Sequence, residues 1–133
     1  MTGWRHPVNM DHLRLQEWLD AYERAWRTPG TDRLAEVFAA DISYLVSPWS
    51  EPIRGLAALA VLWEDQRDGP DEQFTMVAEV VAVEGDVGVA RVDVGYPDGD
   101  RRRDLWIVRL DADGRCVEFE EWPFAPNPPA GHG

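Results

Sequence analysis

The six residues FEEWPF, at positions 119–124, set two carboxylates among large apolar side chains. In an extended strand side chains alternate, so Phe119, Glu121 and Pro123 share one side, and Glu120, Trp122 and Phe124 the other. Whichever side faces inward, one glutamate shares its face with apolar groups. Burial disfavours the charged form of a carboxylic acid, and an acid so perturbed can move protons near neutral pH. Asp93 and Asp104 lie in neighbouring strand-like runs, and turn lengths suggest how the runs meet. Four-residue loops at 97–100 and 111–114 would pair Tyr96 with Arg101 and Leu110 with Arg115. Arg91 then faces Trp106, Asp93 faces Asp104, Trp106 faces Phe119, and Asp104 faces Glu121.

In that register one sheet face collects Arg91, Asp93, Asp104 and Glu121 beside Trp106, Phe119, Val89 and Val108. Like charges opposed on a strand pair are unfavourable. Two readings account for them: neutralisation by Arg91, Arg102 and Arg103, or a partly buried carboxyl with a raised pKa. A slip of one residue would move every member of a strand to the other face.

Other chemistries find less support. His6, His12 and His132 lie near the chain ends, with no second histidine or cysteine at ligand spacing, so no metal site is expected. No Ser–His–Asp or Cys–His pair is visible. The single cysteine, Cys116, forbids an intrachain disulfide and reads as a buried thiol. The glycines fall in turns rather than in a phosphate-binding loop, so no cofactor is expected. A net charge of −12 repels phosphate backbones and anionic lipid, which argues against nucleic acid and membrane partners. The start lacks the apolar run of a signal peptide, and no stretch nears the roughly 20 apolar residues of a membrane helix. A cytoplasmic protein is expected.

These side chains must be held by a scaffold that changes character halfway along. From Asn9 to Arg27, the spacing of Leu15, Trp18, Leu19, Tyr22, Ala25 and Trp26 predicts one amphipathic helix. Thr28-Pro29-Gly30 stops it, and Thr31 can cap a short second helix carrying Leu34, Val37 and Phe38. A short strand is expected over 42–46, then a loop containing Trp49, then a third helix over 54–66. Valine-rich runs at 73–84, 87–96, 101–111 and 115–124 are separated by turn signals and predict a four-stranded antiparallel meander. Helices followed by strands imply an α+β domain over residues 1–125, with a disordered tail at 126–133. Both sheet faces are apolar-rich, so the helices would cover one and a second subunit the other.

The element order, with "WRTPGTDRLAEVFAADISY", "EPIRGLAALAVLW" and "LDADGRCVEFEEWPF", resembles the nuclear-transport-factor-2-like superfamily and its SnoaL-like, polyketide-cyclase-like group. The resemblance spans about Met10 to Phe124. It implies a cone: a curved antiparallel sheet wrapped around three N-terminal helices, a cystatin-like α+β roll with an apolar pocket at its open end. It also implies dimers formed through the outer sheet face. Activities in the superfamily include isomerases, cyclases, dehydratases and epoxide hydrolases, while other members only bind ligands. Compared with ketosteroid isomerase, the best-understood enzyme of this fold, Tyr22 falls on the tyrosine that donates to the oxyanion. The general base falls on Val46 and the oxyanion-binding acid on Trp106, so that mechanism is not preserved. The same comparison turns Trp106, Phe119 and Glu121 inward.

The resulting expectation is a pocket for a small apolar organic ligand. Glu121, Tyr22 and Asp104 are the candidate catalytic groups. Trp26, Tyr44, Trp49, Arg91, Asp93, Trp106 and Phe119 are the candidate ligand contacts, with Trp49 at the rim and Trp63 in the core. The alternative is a non-catalytic dimeric binding module.

Overall fold

The computed structural model describes residues 11–66 and 73–124; the expected tail at 126–133 lies outside them, as do His6 and His132. Helix α1, His12–Arg27, starts behind Asp11, whose side chain accepts from the Arg14 N–H at 2.7 Å. It buries Leu15, Trp18, Leu19, Tyr22 and Ala25, the face its spacing predicts. Helix α2, Leu34–Val37, is a single turn. Its cap is not the Thr31 side chain: Arg33 holds that position, and Thr31 instead offers its backbone carbonyl to the Leu34 N–H at 3.1 Å.

Strand β1, Phe38–Leu45, begins earlier than expected. A two-residue strand that the sequence did not suggest, β2, Ile53–Arg54, folds back on it. Gly55 joins β2 to helix α3, Leu56–Gln66, with φ +91°, a left-handed conformation costly to any residue with a Cβ. Its N–H closes the corner on Ile42 O at 2.8 Å.

The four expected strands follow: β3, Thr75–Glu84; β4, Val87–Gly95; β5, Arg101–Leu110; and β6, Cys116–Phe124. The sheet has six strands rather than four, in the order β2-β1-β6-β5-β4-β3. It is not wholly antiparallel, because β1 runs parallel to β6. Helices followed by a curved, unclosed sheet make the expected α+β roll.

The register differs from expectation at two turns, with opposite consequences. Between β5 and β6, Trp106 pairs with Glu121 and Asp104 with Pro123, two residues from the predicted pairing, after an irregularity beside Leu110. A slip of two keeps every side chain on its face. Between β4 and β5 the loop has five residues, closed by the Tyr96 N–H on Asp100 O at 2.9 Å, so Gly95 rather than Tyr96 pairs with Arg101. A slip of one moves Arg91, Asp93 and Val89 to the outer face and puts Ala90 and Val92 inside, both fully buried.

The core is aromatic. Trp18 packs edge-on against Phe38 and Trp106 at 5.9 and 6.4 Å between ring centroids, and its indole N–H is satisfied by Val37 O at 2.9 Å. Such pairs add about 0.5–1.5 kcal/mol each beyond burial. The outer face carries ion pairs, Arg103–Asp93 at 2.6 Å and Arg109–Asp86 at 2.6 Å, between exposed Val77, Leu105, Trp122 and Phe124. Among the described residues no helix is long and apolar enough to cross a membrane.

Candidate functional site

Between α1, α3 and the inner face of the sheet lies a hollow of about 650 Å³. Tyr22 and Trp26 reach it from α1, Trp63 and Leu62 from α3, and Tyr44 from β1. Phe74 and Met76 close one side, and Tyr96, Asp98, Asp100 and Arg102 come from the β4–β5 turn and the start of β5. Asp104, Trp106 and Glu121 are contributed by the paired strands β5 and β6.

Glu121 sits directly across the ladder from Trp106 and diagonally from Asp104. Its carboxyl lies within hydrogen-bonding reach of the Asp104 carboxyl. Burial, reinforced by the hydrogen bond and charge of Asp104, pushes Glu121 from the ordinary 4.5 up to about 9. Asp104 is only 4% exposed. One of its oxygens, Oδ2, accepts the Trp106 indole N–H at 3.2 Å, while Oδ1 is buried with no donor among the described side chains. Glu121 therefore keeps its proton at neutral pH.

Above the pair, the hydroxyls of Tyr22 and Tyr44 stand 3.5 Å apart. Burial raises both phenols, and the nearby Tyr44 and Glu121 raise Tyr22 further, so both stay protonated and can donate. The Tyr44 ring stacks on Phe119 at 4.5 Å and 14° between planes, and Tyr22 packs on Trp106 at 4.5 Å. Among the described residues the buried Trp63 indole N–H has no acceptor.

Of the residues singled out from the sequence, Tyr22, Trp26, Tyr44, Asp104, Trp106 and Glu121 meet around this hollow. Phe119 is 2% exposed and supports Tyr44 from beneath rather than lining the space. Three candidates lie elsewhere. Arg91 and Asp93 are on the outer face, bound to Glu79 and Arg103, because of the one-residue register difference. Trp49 is 97% exposed, carried outward by a turn closed by the Ser50 N–H on Ser47 O. The sequence reading missed Phe74, Met76 and the 96–102 rim; the Tyr96-Pro97-Asp98-Gly99-Asp100 turn signal marks that rim but not where it lies. Trp63, read as core, is 1% exposed and also lines the hollow. Cys116 is buried, its thiol pushed up by burial and donating to Glu118 O at 3.1 Å, which makes it a poor nucleophile. Among the described residues, no three His, Cys, Asp or Glu side chains cluster to hold a metal.

A helical layer inside a curled sheet, with a polar pair at the base of an aromatic hollow, is the setting in which family likeness becomes informative. Residues 17–119 match the model of the SnoaL-like domain. The chain belongs to the SnoaL-like family. With that membership comes the nuclear-transport-factor-2-like superfamily. Among solved structures, the SnoaL-like domain is similar to a protein assigned as an isomerase of the SnoaL-like family from Agrobacterium tumefaciens (TM-score 0.66, 19% identity, covering 85% of this chain and 99% of that one). It is also similar to SalBIII, an epoxide hydrolase/cyclase-like enzyme with a role in pyran ring formation in salinomycin (TM-score 0.68, 14% identity, 86% and 93% covered). A third is an NTF2-like protein of unknown function from Mesorhizobium loti (TM-score 0.66, 20% identity, 91% and 100% covered). At these identities the likeness is one of fold. No curated protein matches the chain.

Proposed function

We propose that the SnoaL-like domain binds a small organic molecule in the aromatic hollow. Glu121, which keeps its proton at neutral pH, acts there as a general acid in cofactor-free isomerisation, ring closure or addition of water. The observation that carries this reading is the meeting of the two carboxyl groups beneath Tyr22 and Tyr44. An acid that keeps its proton up to about pH 9 can deliver it to a substrate oxygen at neutral pH. Tyr22 donates to the negative charge that develops on that oxygen. Trp106 acts through Asp104: its indole N–H is spent on Oδ2, holding that carboxylate in place. Asp104 is thus a positioning residue. The resemblance to ketosteroid isomerase put the oxyanion-binding acid at position 106; here an acid stands directly across the ladder instead, at 121.

The test is a thermal-shift screen of ketones, enones and epoxides, in which a ligand at a hundred times its Kd adds about 2.7 kcal/mol of stability. Hits are then assayed for conversion with Glu121→Gln. Loss of turnover with binding retained supports the acid; undiminished turnover overturns it.

A second reading, a binding module without chemistry, is favoured by Val46. It lines the hollow where the related mechanism has its base, and it cannot accept a proton. Ligand binding with no conversion of any hit would select it. In either case we propose a homodimer through the outer sheet face, where Val77, Leu105, Trp122 and Phe124 are exposed, and a cytoplasmic location.

A further inference from the structure

One wall of the hollow is held from outside the strand ladder. Pairing between β3 and β4 begins at Thr75, so Phe74 precedes it. Phe74 is nevertheless buried, and it lines the hollow. The carbonyl of a buried residue needs a donor. This one takes it from the end of α1, where Arg27 Nη2 donates to Phe74 O at 3.0 Å. The same guanidinium lies over the Phe74 ring, 4.0 Å from its centroid, and its Nε donates to Glu23 Oε2 at 2.8 Å. A planar fork can make all three contacts together, whereas the point charge of a lysine cannot. Phe74 in turn meets Trp26 edge-on at 6.5 Å, and Trp26 meets Trp63 at 4.7 Å. A line of rings thus runs from the half-exposed Arg27 into the wall of the hollow.

Resting on the reading of the hollow as the ligand site, we infer that Arg27 is a positioning residue for the ligand: it clamps Phe74 as the side wall against which the ligand packs. This wall stands away from the acid. Strands β3 and β6 are separated by β4 and β5, which puts Phe74 three strand spacings, about 14 Å along the sheet, from Glu121. Phe74 therefore meets the body of the ligand and not the oxygen that receives the proton. Without the clamp its ring is free to swing, and binding must order it again. Ordering one such side chain costs up to about tenfold in affinity. The loss falls on the dissociation rate and on KM, while kcat, set by Glu121 and Tyr22 across the hollow, stays. Arg27 and Glu23 both lie partly in water, so removing their pair costs the fold little.

The probe is 1-tetralone, a neutral aryl ketone, titrated calorimetrically into the wild type, Arg27→Met and Arg27→Lys at pH 7. Arg27→Met should bind it about tenfold more weakly, with dissociation faster by the same factor. Arg27→Lys should be weakened as well, because charge without the fork does not restore the clamp; it is also the second variant should the first unfold. For any ketone that is converted, KM should rise by that factor while kcat stays within about twofold. A second measurement reads the wall without ligand. With 4-fluorophenylalanine at the four phenylalanines, Phe74→Leu identifies the fluorine resonance of Phe74. Arg27→Met should move that resonance toward its position in the unfolded chain. An unmoved resonance, equal affinities in the wild type and Arg27→Met, or no tetralone binding by the folded wild type up to about 5 mM would each overturn the inference. If tetralone binds in an Arg27-dependent way but no ketone is converted, the wall stands and the acid reading falls. Conversion that needs Glu121 but keeps its KM in Arg27→Met leaves the acid and removes the wall.

Discussion

Asp104 and Glu121 lie on neighbouring strands, offset by two residues in the ladder, and their carboxyl groups meet on the diagonal beneath the hollow. Diagonal neighbours across a strand pair are about 7–8 Å apart at the backbone, within reach of long side chains. Both acids also lie on the side of the sheet that packs against α1, so water is thin around them and burial keeps the proton on Glu121.

This arrangement ties stability to pH. Glu121 has a folded-state pKa of about 9 against an ordinary 4.5, so between those values the folded protein holds a proton that the unfolded chain has released. Folding stability therefore falls as pH rises through that window, by at most about 1.4 kcal/mol per unit. Glu121→Gln keeps a donor toward Asp104 but cannot ionise. Urea titrations of both proteins at pH 5, 7 and 9 should show the wild type losing stability relative to the variant at each step. Parallel pH profiles would mean that Glu121 ionises freely in the folded protein.

The Trp106 indole N–H gives a second measurable contribution. It donates to a buried carboxylate, a kind of bond that contributes about 1.5–3 kcal/mol. Trp106→Phe removes the donor and part of a ring packed against Tyr22 and Phe119, at a cost of about 2–4 kcal/mol. A double-mutant cycle with Asp104→Asn separates the two effects. Coupling of about 1.5 kcal/mol is expected, and purely additive losses would show that the indole serves only by packing.

How much of this was legible before any coordinates depended on which interval each inference crossed. Helix α1 was legible because its buried face, from Leu15 to Ala25, repeats over about three turns. Glu121, Asp104 and Trp106 were put on the correct face despite a wrong pairing, since the error was two residues and side chains alternate with period two. Arg91 and Asp93 were misplaced by one extra loop residue, Tyr96, whose N–H closes on Asp100 O. Nothing in the local sequence marks that bond. Strand β2 is two residues long and has no periodicity to read, and the parallel pairing of β1 with β6 joins segments more than seventy positions apart. Trp49 was expected at the rim, yet the hydroxyls of Ser47 and Ser50, 2.7 Å apart, fasten a turn that carries it away.

The outer face predicts an assembly. Leu105 and Trp122 are direct cross-strand partners, both 39% exposed, and Phe124 beside them is 54% exposed. Ion pairs flank this apolar stripe on either side, a pattern that suits a self-complementary contact. Sedimentation at about 10 μM should give a dimer, because an obligate contact of standard size holds below that concentration. Trp122→Arg should dissociate it while leaving the fold intact. A monomeric wild type would leave the stripe as plain surface.

Tyr22 separates chemistry from packing most cleanly. Its hydroxyl meets that of Tyr44 at 3.5 Å, the outer limit of a hydrogen bond, so that contact stabilises the fold by less than about 1 kcal/mol. Its ring packs against Trp106 at 4.5 Å and Trp63 at 5.2 Å, contacts that phenylalanine preserves. Tyr22→Phe should therefore shift the denaturation midpoint little. If the hydroxyl donates to charge developing on a substrate oxygen, kcat should fall about 10²–10³-fold while KM changes little. Because burial raises Tyr22 well above its ordinary value, the phenol does not ionise in the range where Glu121 does, near pH 9. The alkaline limb of the pH–rate profile should consequently stay in place in Tyr22→Phe. A variant that loses stability but keeps full kcat would assign Tyr22 to the core alone.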